Sequence, residues 1–312
     1  MIKGEKMNFI KKWYTYQKER FPVLMYGTYI ASIVFAIYCC CLYYAPLFKY
    51  TVYSADAVKF VEKWTTVIPM FVVAFLQFLM VRIVDEFKDY EEDKKFRPYR
   101  PVPRGLITLN ELSALLIICL ILQVGITILY KGNLVLLLVL WGYFLIMSRG
   151  FFIKKFLDKH ILIEVLLDEI MMPIMVLYLS SFCLNKWGLI VLLFDTRFPV
   201  LILISYVISW IVEVARKVRS KDKEETGVKT YTAVFGIPKA MMLLSLLESI
   251  LFMLQTIILT RIICLNIVFY IIVMITNLLF IYKQKKSFAK IVELSANIYI
   301  LFVYVSMIML II

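Results

Sequence analysis

Nine long apolar runs constrain this chain more than any other feature, at about 22–47, 64–84, 111–130, 133–149, 161–184, 197–215, 238–260, 262–283 and 290–312. With about 1.5 Å of rise per helical residue, roughly 20 uncharged residues cross the hydrocarbon of a bilayer, so each run reads as one transmembrane helix. Backbone amides find no water in hydrocarbon, and these runs are too long and continuous for barrel strands. The expected fold class is therefore all-α: one domain over 1–312, a polytopic membrane protein of about nine transmembrane helices around a central cavity. A hydrophobic content of 62% is more than a soluble core of this length buries.

Charge sets the orientation. Of 35 Lys and Arg, 27 fall on the N-terminal tail (1–21) and on the loops after the second, fourth, sixth and eighth runs, seven fall on the opposite loops, and Arg82 lies inside the second run. This places the N-terminus inside and the C-terminus outside, with an odd number of spans. The mixed charged start of the chain does not read as a cleaved leader. The net charge of +13 is explained by topology, which excludes nucleic acid as the partner the charge would otherwise suggest. The six cysteines lie in apolar runs without ligand spacing and read as packing residues. No phosphate-binding glycine loop, dinucleotide fingerprint or nucleophile elbow is present, which disfavours an ATP-driven pump and a serine hydrolase.

Two inside loops, 85–110 and 216–237, are long and densely charged. In the first, six carboxylates fall between Asp85 and Asp93. If the second span continues as helix, Asp85, Asp89 and Asp93 stand at i, i+4 and i+8 on one face, where like charges repel unless a divalent cation neutralises them. Mg²⁺ is a hard ion that takes carboxylate oxygens and bridges substrate phosphates. The alternative is a solvated acidic helix end paired with Lys88, Lys94 and Lys95. Beyond it, Pro98, Pro101 and Pro103 stop the helix, and Arg97, Arg100 and Arg104 offer guanidinium groups suited to a phosphate ligand. Thr108-Leu-Asn-Glu111 reads as a capping box opening the third span.

At these residues the chain resembles the UbiA superfamily of intramembrane prenyltransferases. The first family motif is NxxxDxxxD. Asp85 stands in the Asn place, Asp89 and Asp93 match, and Arg100-Pro101-Val102-Pro103-Arg104-Gly105 matches the basic, proline-containing stretch that follows. The second motif, usually DxxxD shortly before a Gly, is altered. Counted back from Gly227, its aspartate places hold Arg219 and Lys223, with acidic groups at Glu213, Asp222, Glu224 and Glu225 instead. Glu213, Lys217 and Lys221 share a helical face, so ammonium groups could replace a metal by binding phosphate directly, or contact anionic lipid.

The resemblance implies Mg²⁺-dependent transfer from a prenyl diphosphate to a lipophilic acceptor in the membrane, under a cap made by the two inside loops. It implies metal ligands at Asp85, Asp89, Asp93, Glu213 and Asp222, and diphosphate contacts at Arg100, Arg104, Arg149, Lys217, Arg219 and Lys223. A cell membrane, the inner one in a bacterium, is expected, with the site on the cytoplasmic side. Within the spans, Asp168 or Glu169 could orient the acceptor or take the proton released on alkylation, against the alternative of helix–helix hydrogen bonds. His160, the only histidine, reads as a polar residue of the interface. Two other readings stand beside this one: a small-molecule or ion transporter, and a non-catalytic lipid-binding relative.

Overall fold

The computed structural model describes residues 8–44, 64–184, 189, 193, 197–225, 228–258 and 263–308. The chain is all-helical: α1 (Phe9–Arg20), α2 (Val23–Tyr44), α3 (Trp64–Lys88), α4 (Tyr90–Phe96), α5 (Leu109–Leu129), α6 (Leu134–Ser148), α7 (Lys154–Leu157), α8 (Ile161–Asp168), α9 (Met171–Ser180), α10 (Arg197–Arg216), α11 (Tyr231–Phe235), α12 (Ile237–Ile258), α13 (Ile263–Lys283) and α14 (Lys286–Ile308). The described parts of the nine apolar runs are mainly helical. Among the described residues seven helices are long and apolar enough to cross a membrane, and α6, with 15 residues, is a shorter apolar helix.

The fifth run is not one helix. It divides into α8 and α9 at Glu169–Ile170. Pro173 is the cause: it has no N–H to give to the Glu169 carbonyl four residues back, and its ring crowds that carbonyl. Carbonyls at the end of α8 accept from tyrosine hydroxyls, Tyr206 donating to Leu166 at 2.8 Å and Tyr143 to Leu167 at 2.6 Å, the latter carbonyl also accepting from the Ile170 N–H at 3.2 Å. The break places Asp168 and Glu169 at a turn inside the bundle.

The helices close into a bundle. α2 packs on α3, α3 on α5, α6 and α9, α9 on α10, α10 on α12, and α14 returns to α2. Outward-facing Ile, Leu and Met, such as Ile121, Leu138, Met253 and Leu278, leave an apolar surface that lipid covers. Short polar devices fix the helix starts. Thr108 and Glu111 form the capping box expected, with the Glu111 carboxylate accepting from the Thr108 N–H at 2.9 Å. Asn133 caps α6 and Thr230 caps α11. Thr108→Ala is expected to cost about 1 kcal/mol, read as a lower unfolding midpoint in detergent.

The Arg/Pro stretch ends in a compact turn in which the Leu106 N–H donates to the Pro101 carbonyl at 2.8 Å. Gly105 sits there at φ +76° with open space around its Cβ position, so only the backbone requires glycine. Gly105→Ala should destabilise by about 1 kcal/mol through the left-handed conformation alone. The same measurement checks it.

Candidate functional site

The C-terminal ends of α3 and α10 and the start of α8 meet at one end of the bundle, where the chain's acids and bases converge. Lys88, the last residue of α3, lies 3.6 Å from Glu164 of α8 and within electrostatic reach of Asp168, Asp85 and Asp89. Arg216 of α10 is within reach of Asp85 and Tyr26, and Glu169 is within reach of Glu213, Asp168 and the Ser209 hydroxyl. Three separate segments, the first motif, the broken fifth run and the end of the sixth, thus share one charged centre.

The helical phase of the first motif is kept across the α3–α4 junction, since the Asp89 N–H donates to the Asp85 carbonyl at 3.0 Å and the Asp93 N–H to the Asp89 carbonyl at 2.8 Å. The three carboxylates nevertheless meet different surroundings. Asp85 is 40% exposed and has one ion pair, with Arg82 at 3.3 Å. Asp89 starts α4 with its side chain making no capping bond. Asp93 is buried at 1% exposure and held by Arg97 at 3.0 Å and Arg100 at 2.6 Å, with Arg20 of α1 at 4.0 Å.

A second buried acid, Glu86, is paired with Arg20 and with Arg82 at 3.5 Å. Burial and the neighbouring Arg82 push the Arg20 guanidinium below its ordinary pKa, opposed by Glu86. Arg104 is committed to Glu19 through two bonds of 2.8 and 3.0 Å and to the Tyr99 carbonyl. With Lys12 paired to Glu111, these contacts tie α1 to the first charged loop and to α5.

On the second loop, both Glu213 oxygens are taken, one by Arg216 and the other by Lys217 at 2.6 Å. Lys217 also lies over the ring of Tyr231 at 5.9 Å. Tyr231 is fully buried with its hydroxyl unbonded, and burial, Glu213, Glu169 and Glu164 all push that hydroxyl's pKa up. Arg219 donates to the Val218 carbonyl, and its N–H donates to Thr232. Asp222 and Lys223 lie on an exposed 3₁₀ turn, where a bond from Ser220 holds the Asp222 carboxyl below its usual range. Gly227, from which the second motif is counted, lies outside the described residues. Arg149 is exposed at the end of α6, just before a left-handed turn at Gly150, Phe151 and Phe152.

The two loops touch each other, the Tyr99 hydroxyl donating to Glu225 at 3.1 Å. The apolar recess lined by Ala31, Val34, Phe35, Val67, Ile68 and Phe71 lies between α2 and α3, far from the charged centre. Eighteen residues of α3 separate Val67 from Asp85, about 27 Å of helical rise.

Mg²⁺ is the metal this family pattern implies, and the first motif fits it. Asp85 and Asp89 are hard oxygen donors one helical turn apart, the first half-open and the second without a capping bond. Among the described residues no three His, Cys, Asp or Glu side chains gather as a cage. Mg²⁺ does not need one, because it keeps waters and takes phosphate oxygens beside one or two carboxylates. Asp93 and Glu213 fit less well, each already neutralised by two cations. Sequence reasoning missed Arg20 and Lys88 at this site. It did register Arg82, the one charge inside the second span, without giving it a role, although an intramembrane charge signals a partner.

The fold and site define a polytopic, all-helical membrane protein with an acidic and basic centre at one end of its bundle, and a family profile says which family it belongs to. The description "UbiA prenyltransferase family" matches residues 50–306, so the chain belongs to that family, whose members carry out prenyl transfer in membranes. No curated protein matches the sequence. Among solved structures, one from work on digeranylgeranylglyceryl phosphate synthase in membranes is similar at a TM-score of 0.54 and 18% identity, over 96% of this chain and 98% of that one. The apo structure of a UbiA homolog from Aeropyrum pernix K1 is similar at a TM-score of 0.56 and 14% identity, over 87% and 94%. At these identities the likeness speaks for the fold.

Proposed function

We propose that this protein transfers a prenyl group from a prenyl diphosphate to a lipophilic, electron-rich acceptor dissolved in the membrane, with Mg²⁺ at Asp85 and Asp89. The observation that carries the reading is the pair of half-buried carboxylates at the end of α3, Asp85 and Asp89, within reach of Lys88 and its partners Glu164 and Asp168, with Arg82 beside Asp85. When bound, the ion offsets the charge that builds on the diphosphate as the C–O bond breaks.

Arg82 holds Asp85 through its ion pair, and Lys88 supplies a positive charge within reach of both carboxylates. Lys217, Arg149, Arg219 and Lys223 are the proposed diphosphate contacts, and Arg100 retains N–H groups for a phosphate oxygen beyond those given to Asp93. Arg104 and Asp93 have a different role in this reading: they hold the loop and α1 in shape. Asp168, at the break in the fifth run, orients the acceptor and takes its proton after alkylation. Glu213 keeps Arg216 and Lys217 aligned, and Asp222 is left to solvent.

The test is turnover by purified protein in nanodiscs given farnesyl or geranylgeranyl diphosphate, Mg²⁺ and a set of aromatic, quinol-precursor and glycerol-phosphate lipid acceptors. Release of diphosphate matched by a labelled lipid product is the expected result. Binding without release from any acceptor overturns the enzyme reading in favour of a lipid-binding relative, and no binding at all favours a transporter. Lys217→Met should raise the KM for the diphosphate roughly tenfold, the effect of losing about 1.4 kcal/mol of ground-state binding.

A further inference from the structure

The last three helices hold a second set of polar side chains, separate from the charged centre. Glu248 is completely buried in α12, 11 residues after Ile237 and so about 16 Å along the helix, at mid-membrane depth. Across from it, Asn277 of α13 is 1% exposed, and its Nδ2 donates to Glu248 Oε2 at 2.6 Å and to Ser245 Oγ at 3.0 Å. Among the described residues two atoms of this pair have no partner: Glu248 Oε1 and Asn277 Oδ1.

No described cation answers the carboxyl. Among the described residues Glu248 takes part in no ion pair, and the described charged side chains of α10, which packs on α12, are Glu213 and Arg216, bound to each other. The hydroxyls nearby are also engaged: Tyr299 of α14 donates to Gln255 at 2.9 Å, and Tyr270 of α13 pairs with Ser249 at 2.9 Å. An ionised carboxylate in hydrocarbon with a single amide donor is among the costliest arrangements a membrane helix can hold. An unbonded amide oxygen beside it adds to that cost.

One proton removes both deficits. On Glu248 Oε1 it becomes a donor, and Asn277 Oδ1 is the acceptor it lacks. Acid and amide then form a reciprocal ring, N–H to Oε2 and O–H to Oδ1, with every atom satisfied. Turning the amide over does not avoid this, since it would set two acceptor oxygens 2.6 Å apart, a contact that again needs a shared proton. We propose that Glu248 and Asn277 form a buried proton-binding site, an acid–amide pair that clasps α12 to α13 and is loaded when those helices pack. Its ligand is the proton, and its role is independent of the diphosphate chemistry.

Infrared difference spectra of the full chain in nanodiscs at neutral pH test it. Wild type minus Glu248→Gln should show the carbonyl stretch of a protonated carboxyl group, shifted by exchange into D₂O. Glu248→Gln should also keep the wild-type unfolding midpoint, because its amide N–H replaces the acid O–H in the ring. Asn277→Leu should move the carboxyl band to higher frequency, as a carbonyl freed of its donor does, and this reading stands even if Glu248→Gln does not fold. Carboxylate bands in place of the carbonyl stretch, or a carboxyl band unmoved in Asn277→Leu, would overturn the proposal.

Discussion

Prenyl transfer by Asp89→Asn is expected to fall by about a thousandfold while the protein unfolds at its wild-type temperature. The size follows from the chemistry assigned to this carboxylate: a charge-neutralising ion held in place contributes about 4 kcal/mol to the transition state, and each 1.36 kcal/mol is about a factor of ten. The unchanged stability follows from the structure. Asp89 begins α4 with its side chain making no bond to that helix, and Asn is as good a residue at a helix start as Asp. Asp85→Asn should lose a similar factor, with some loss of Arg82 ordering because that ion pair, at 3.3 Å, goes with it. Full activity in Asp89→Asn would remove the metal from this end of α3.

The second large effect is on stability and falls on Asp93. Asp93→Asn leaves Arg97 and Arg100 without the carboxylate they share and takes from Arg20 one of its two acidic neighbours, Glu86 being the other. Breaking a buried ion pair by removing one partner costs about 3 kcal/mol, because the other charges remain. Thermal unfolding in detergent should show it as a clear drop in midpoint, accompanied by loosening of α1, whose Arg20 is anchored in the same group. Were Asp93 instead a metal ligand alone, the variant would keep its midpoint and lose Mg²⁺-dependent binding. The paired comparison of Asp89→Asn and Asp93→Asn therefore separates a carboxylate that does chemistry from one that holds arginines.

Much of this architecture is legible in composition and spacing. Membrane spans announce themselves because hydrocarbon demands about 20 apolar residues in a row. The capping box at Thr108 and the stop at Pro98–Pro103 are local and were read as they stand in the structure. What was not legible is whatever joins distant segments. The pairing of Arg20 with Glu86 spans 66 residues and that of Lys12 with Glu111 spans 99. Nothing in the i, i+4, i+8 spacing of Asp85, Asp89 and Asp93 says that arginines from α1 and from the Pro-rich stretch will close over the third of them. The break in the fifth run was hidden for another reason. Pro173 is visible, but in a hydrophobic stretch of spanning length a proline is often accommodated by a kink, and the Tyr143 and Tyr206 hydroxyls that bond the end of α8 come from other helices.

The altered second motif acquires a physical sense in the bundle. Glu213 binds Arg216 and Lys217, so the second loop presents a neutralised carboxylate and a surplus of cations where a second acidic cluster would hold metal. In the proposed function the first motif is then the metal site, with ammonium and guanidinium groups proposed for part of the phosphate binding.

The central claim is that Asp85 and Asp89 hold the ion that binds a prenyl diphosphate. The most direct measurement is the affinity of a short-chain and a long-chain prenyl diphosphate for detergent-purified protein, with and without Mg²⁺, in wild type and in Asp89→Asn. The account predicts tight binding by wild type that requires Mg²⁺ and is lost in the variant. Binding of equal strength in the absence of Mg²⁺, or in Asp89→Asn, would contradict it.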